Sequence, residues 1–135
     1  MILGIDYGRA KIGLAVSEGE IASPLGVIQA AAGTFSSAFA KIKTICDQNG
    51  IGKIVVGVSE GKMANESKQF GQKLGHFLQI AVEFADETLS TYEAQRAMIE
   101  KGSKLKDRRE KEDAIAAAII LQNWIDQQKV LQSPR

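Results

Sequence analysis

The sequence predicts an α/β fold built on one mixed sheet of five strands, three antiparallel and then two parallel, with helices on both faces. Three observations lead there. Two short apolar runs joined by a tight turn open the chain, a third run follows at once, and from there apolar runs alternate with segments of helical period. Antiparallel neighbours need only a short turn, whereas parallel neighbours need a helical crossover, so this order implies a mixed sheet.

Residues 2–7 (ILGIDY) and 12–17 (IGLAVS) read as the first two strands, turned at Gly8-Arg9-Ala10-Lys11. Residues 25–29, after Pro24, complete the antiparallel opening. The period then changes: Phe35, Phe39, Ile42 and Ile45 recur at helical spacing, with Thr34 as N-cap and Asn49-Gly50 as the stop. Residues 53–58 (KIVVGV) form a buried-type strand, and Phe70, Leu74 and Phe77 mark a second helix opened near Asn65. Residues 80–85 (IAVEFA) make the fifth strand. Ser90 and Glu93 form a capping box for a short helix that Gly102 ends, and a last helix spans roughly 107–128 by its periodicity. The tail 129–135 reads as loose.

At 135 residues the chain has room for one domain and one sizeable core. Its single Cys46 excludes an internal disulfide framework and fits a reducing compartment, and one His with one Cys cannot build a structural zinc site. No stretch approaches the ~20 apolar residues of a membrane span, so the expectation is a cytoplasmic protein without a membrane partner. The net charge of +1 does not indicate a globally basic nucleic-acid binder. Charge is nevertheless uneven: residues 101–111 (KGSKLKDRREK) concentrate Lys101, Lys104, Lys106, Arg108, Arg109 and Lys111 against Asp107 and Glu110.

Three acids stand in informative places. Asp6 interrupts an apolar strand, where an unpaired carboxylate costs several kcal/mol to bury unless a cation offsets it. The alternative is an Asp that caps the following turn. Glu87 follows the fifth strand's carboxyl end, where open α/β sheets bind their ligands, and the neighbouring Asp86 is a second candidate there. Asp113 shares a helical stripe with Ala117, Ile120 and Trp124, next to the almost wholly apolar run 114–121. Its alternative role is a first-turn acid held by the helix dipole and Arg109. Three carboxylates can converge only around cations, and their oxygens suit hard ions such as Mg²⁺ or Mn²⁺. Two such ions about 3.5–4 Å apart would serve phosphodiester cleavage. Arg9 and Lys11 beside Asp6, and Lys104, Arg108 and Arg109 before Asp113, are the candidate phosphate contacts. His76 reads as a structural helix residue, Cys46 as a small buried hydrophobe, and Trp124 and the Phe residues as core.

Three segments then carry a resemblance: residues 3–17 (LGIDYGRAKIGLAVS), 85–94 (ADETLSTYEA) and 112–125 (EDAIAAAIILQNWI), in that order along the chain. They resemble the motifs of the YqgF/RuvX family of pre-16S rRNA nucleases, also described as Holliday-junction-resolvase-like. The resemblance implies an RNase H-like fold, with Asp6, Glu87 and Asp113 as the metal-binding catalytic acids. It implies an endonuclease acting on structured nucleic acid, precursor rRNA first and branched DNA second, as a monomer or weak homodimer. Departures from the family pattern are Lys11 for the more usual Arg, Thr88 for a common Arg, and a 58–63 loop without its usual Pro. Two other readings compete with the nuclease. One is a non-catalytic nucleic-acid-binding module. The other is a phosphotransferase fragment suggested by the run GIDYG, although 135 residues supply only one of the two lobes such enzymes close.

Overall fold

The computed structural model describes residues 1–30, 35–58, 61–86 and 108–132. A five-stranded sheet runs through them, made of β1 (Ile2–Asp6), β2 (Lys11–Ser17), β3 (Ala22–Gln29), β4 (Lys53–Val58) and β5 (Ala81–Asp86) in the order β3-β2-β1-β4-β5. Strands β1–β2 and β2–β3 pair antiparallel, while β1–β4 and β4–β5 pair parallel, as expected. The helices are α1 (Ser36–Asn49), α2 (Lys62–Leu78) and α3 (Arg108–Gln132).

Strand alternation divides the apolar residues between two cores. Leu3, Ile5, Ile12, Leu14, Ile54 and Val56 turn to one face and pack against Phe39 and Ile42 of α1 and Phe70 and Leu74 of α2. Ala15 and Val55 turn to the other, against Ala117, Ala118, Leu121 and Trp124 of α3. Helix α3 lies unusually close to the strands there. A Cβ on Gly4 would meet the Leu121 Cβ at 2.8 Å and the Ala117 carbonyl oxygen at 3.1 Å. One on Gly13 would meet the Asp113 carbonyl oxygen at 2.1 Å. These two glycines admit the helix because they lack a Cβ.

Several boundaries differ from the sequence reading. Strand β3 begins at Ala22 and includes Pro24; as an edge strand it needs no ladder donor from that residue. Leu25 falls in a register shift opposite Leu14/Ala15, next to Gly26 at φ 156°. Helix α1 has Phe35 at its N-cap with no side-chain cap bond, whereas the expected cap Thr34 lies outside the described residues. Helix α2 opens with Gly61 at its N-cap and Lys62 as its first residue, ahead of Asn65. Helix α3 continues to Gln132, so residues 129–132 are helical, and Lys129 ties this end to Glu20 at 3.0 Å. The expected helix from Ser90 to Gly102 lies outside the described residues. Cys46 and Trp124 are buried as expected, but Phe77 is 50% exposed and only stacks against Phe39 at 5.6 Å between centroids. Its stripe neighbours Phe70 and Leu74 are fully buried, while Phe77 lies toward α1 at the margin of the core. Among the described residues, no helix is long and apolar enough to cross a membrane.

Candidate active site

The site lies where β1 ends. Register sets Asp6 directly opposite Gly13 of β2, a separation of about 5 Å between Cα atoms. Gly13 is also the residue against which the Asp113 backbone rests. Asp6 and Asp113, 107 places apart in sequence, therefore both border the same glycine through their backbones. Both belong to the α3 face. Asp6 continues the alternation of Ile2 and Gly4, which meet the α3 core, and Asp113 precedes the buried Ala114 and Ala117. Both side chains are half-buried, and Asp6 makes polar interactions of its own. With α3 starting at Arg108, Asp113 is its sixth residue. It stands beyond the first turn, in which the helix dipole favours acids most.

Strand β5 ends level with β1. Because Ile5 pairs with Val56 and Gly57 with Ala85, Asp6 is level with Ala85, two strand spacings or about 10 Å away. Ala85 packs on the α3 core, whereas Val82 and Phe84 pack on the opposite one. Alternation therefore turns Asp86, which is exposed, to the face away from Asp6. Glu87, the third expected acid, lies outside the described residues, as do Lys104 and the side chains of Arg108 and Arg109. Among the described residues no group of three or more His, Cys, Asp or Glu side chains stands ready for a metal.

Cations flank this strand end from both faces. Lys11 is half-buried at the start of β2, on the α3 face with Gly13 and Ala15. Arg9 reaches the other way, to Glu66 of α2. Its Nε donates to both carboxylate oxygens at 3.1 Å, and its Nη2 stands 3.1 Å from Oε1. The Arg9 hydrogen bond, followed by that from the Tyr7 hydroxyl, holds the Glu66 carboxyl below its usual range. Burial, with the Glu66 carboxylate second, pushes the Tyr7 hydroxyl up to about 12. The Tyr7 ring is fixed against Phe70 at 4.6 Å and Phe35 at 6.1 Å. Neither Glu66 nor Tyr7 was marked by the sequence. Glu66 is an ordinary polar residue of a helix, and its partner is 57 positions away, so no local pattern announces the pair. His76 is exposed on α2 and its carbonyl accepts from Gln79, in line with a structural residue.

Comparison with known proteins agrees with this architecture. The structure is similar to that of Thermus thermophilus RuvC in complex with a Holliday junction substrate, with a TM-score of 0.64 at 13% identity over 93% of this chain and 94% of that one. It is also similar to a fowlpox virus resolvase solved with Holliday junction DNA, at TM-score 0.54 and 12% identity over 94% and 97% of the two chains. Both likenesses concern the fold, which is the RNase H-like one expected. In sequence, a protein of Thermosynechococcus vestitus named "Putative pre-16S rRNA nuclease" is 31% identical over 133 residues, covering 93% of this chain and 87% of the relative. An Anaeromyxobacter protein of the same name is 37% identical over 132 residues, covering 92% and 95%. A family model described as "RuvX: Holliday junction resolvase" matches residues 1–127. Matched along almost its whole length by that model and by these relatives, the chain belongs to the RuvX family.

Proposed function

We propose that this protein is a metal-dependent endonuclease that hydrolyses phosphodiester bonds of structured nucleic acid, with the 5′ end of pre-16S rRNA as its first substrate and Holliday-junction DNA as its second. The observation that supports the reading is that Asp6 and Asp113 both border Gly13, through strand register and helix approach, at the carboxyl end of β1. A two-carboxylate donor set of this kind suits hard, oxygen-seeking ions such as Mg²⁺ or Mn²⁺. Asp6 and Asp113 would hold the ions, with Glu87 as the third acid. Bound there, a pair of such ions supplies an activated water and stabilises the leaving oxygen.

The protein's own part is to position the substrate. Lys11 lies on the same face as the acids and Arg9 on the opposite face of this strand end, and Lys104, Arg108 and Arg109 precede Asp113 in the chain. Contacts from these side chains to phosphates would set the register of the backbone without reading its bases. The names of the curated relatives favour the precursor-rRNA substrate, and the titles of the solved structures favour the branched-DNA alternative.

The test is a cleavage panel of precursor 16S rRNA, four-way DNA junction and single strands, with Mg²⁺, with Mn²⁺ and without metal. Wild type is expected to cut the rRNA precursor only with metal. Asp6→Asn is expected to abolish cutting while melting at the wild-type temperature. Equal cutting by wild type and Asp6→Asn would refute the site. Salt-sensitive binding without cleavage under either ion would instead mark a non-catalytic binding module.

A further inference from the structure

We propose that Glu66 is a positioning residue, which holds the Arg9 guanidinium with its outer edge presented to a phosphodiester backbone crossing the end of the sheet. The inference rests on the nucleic-acid reading above and assigns a role to a helix residue that the three motif segments do not contain.

The geometry of the pair is specific. Glu66 takes the inner side of the guanidinium, through Nε and one nitrogen of the fork, each at 3.1 Å. Of the three N–H groups that remain, one on Nη1 and one on Nη2 run parallel and point away from the carboxylate, forming the edge that grips a phosphate bidentately. Exposure follows the same division: the Arg9 side chain is 73% exposed and that of Glu66 only 26%. The carboxylate is the anchored partner and the guanidinium the presented one. Beside the carboxylate stands Tyr7, whose hydroxyl helps to hold the Glu66 carboxyl below its usual range and whose ring packs against Phe35 and Phe70. Tyr7 directly follows Asp6, so the acid and the arginine's support leave the same strand end on opposite faces of the sheet.

Energetics separate this role from a purely structural one. An exposed ion pair adds little to stability. Immobilising a long side chain on binding opposes association, and a preformed pair removes that cost from the binding step. A latch, in which Glu66 competes with phosphate for Arg9, would instead occupy the outer edge, which the carboxylate leaves open.

The test measures Kd in EDTA, where metal-dependent cleavage is silent, for two probes: an RNA spanning the leader and mature 5′ end of 16S rRNA, and a four-way DNA junction. Arg9→Gln is expected to weaken binding by about tenfold and to lower the salt slope by about one. Glu66→Ala is expected to weaken it by roughly two- to tenfold although it removes a negative charge. The double variant should bind no more weakly than Arg9→Gln alone, and Tyr7→Phe should reproduce part of the Glu66→Ala loss. Glu66→Gln keeps one acceptor oxygen and should retain part of the wild-type affinity. Wild-type or tighter binding by Glu66→Ala, additive losses in the double variant, or no binding of either probe by wild type would overturn the proposal. Cleavage by wild type and Asp6→Asn in Mn²⁺ is read separately. A 9–66 coupling without cleavage would sink the nuclease and spare this inference.

Discussion

Replacing Gly13 with alanine tests the link between packing and the candidate site most directly. The added Cβ would sit 2.1 Å from the Asp113 carbonyl oxygen, 2.6 Å from its carbonyl carbon and 3.3 Å from the Ala114 nitrogen. Ordinary carbon–oxygen contact lies near 3.3–3.6 Å, so the strand and helix must part by about 1 Å. Backbone stands on both sides of the clash, and no side-chain rotation relieves it. Over-packing of this kind costs about 1–3 kcal/mol, and a 1 Å gap forfeits up to roughly half of each dispersion contact along the seam. Against this, Gly→Ala stiffens the unfolded chain by only about 0.4–1 kcal/mol, so the clash wins. A net loss of about 2 kcal/mol corresponds to a melting temperature lower by roughly 5–10 °C for a chain of this size. The same displacement moves Asp113 from Asp6, and a 1 Å error at reacting groups can cost about a hundredfold in rate. The assay pairs thermal and urea melts with cleavage of precursor rRNA. Gly52→Ala is the control, since nothing lies within 4 Å of a Cβ there, and it should melt at or slightly above the wild-type temperature. A Gly13→Ala protein melting within about 2 °C of wild type and cutting at the wild-type rate would refute the reasoning.

Two further predictions concern groups that join distant parts of the fold. Gln122 accepts the Ala22 amide at 2.8 Å and donates to the Glu20 carbonyl at 2.9 Å and to Asp126 at 3.0 Å, pinning α3 to the start of β3. Gln122→Ala is expected to cost about 1–3 kcal/mol in urea unfolding, and an unchanged midpoint would show that the pin carries no stability. Tyr7 gives a pH signature. Its folded pKa of about 12 exceeds the ordinary 10.0, so above pH 10 the unfolded state sheds the proton first. The stabilisation is whole below pH 10 and is lost as pH rises toward 12. Tyr7→Phe should flatten the fall of stability across that interval, and an unchanged slope would remove Tyr7 as its source.

Much of the fold was legible because its signals are local. The hairpin at Gly8–Lys11, the buried run at 53–58 and the α3 stripe of Ala117, Ile120 and Trp124 each arise from a period of two or of about 3.6, and each was found where expected. Element ends were less legible. Whether α2 starts at Lys62 or near Asn65, and whether α3 stops by 128 or at Gln132, depends on turns and ion pairs such as Lys129–Glu20 that no periodicity records. Phe77 shows the same limit: it keeps the helical spacing of Phe70 and Leu74, yet it is 50% exposed and stacks on Phe39 of α1.

The sequence by itself determined the mixed sheet, the helices on both faces and the unusual placing of Asp6 and Asp113, because apolar period and an acid in an apolar setting are properties of neighbouring residues. Only the tertiary structure decided that both acids border Gly13, that Asp86 turns away from them, and that Arg9 is held by Glu66. Such contacts join residues tens of positions apart through strand register and close helix approach, and those are set by how the whole core packs.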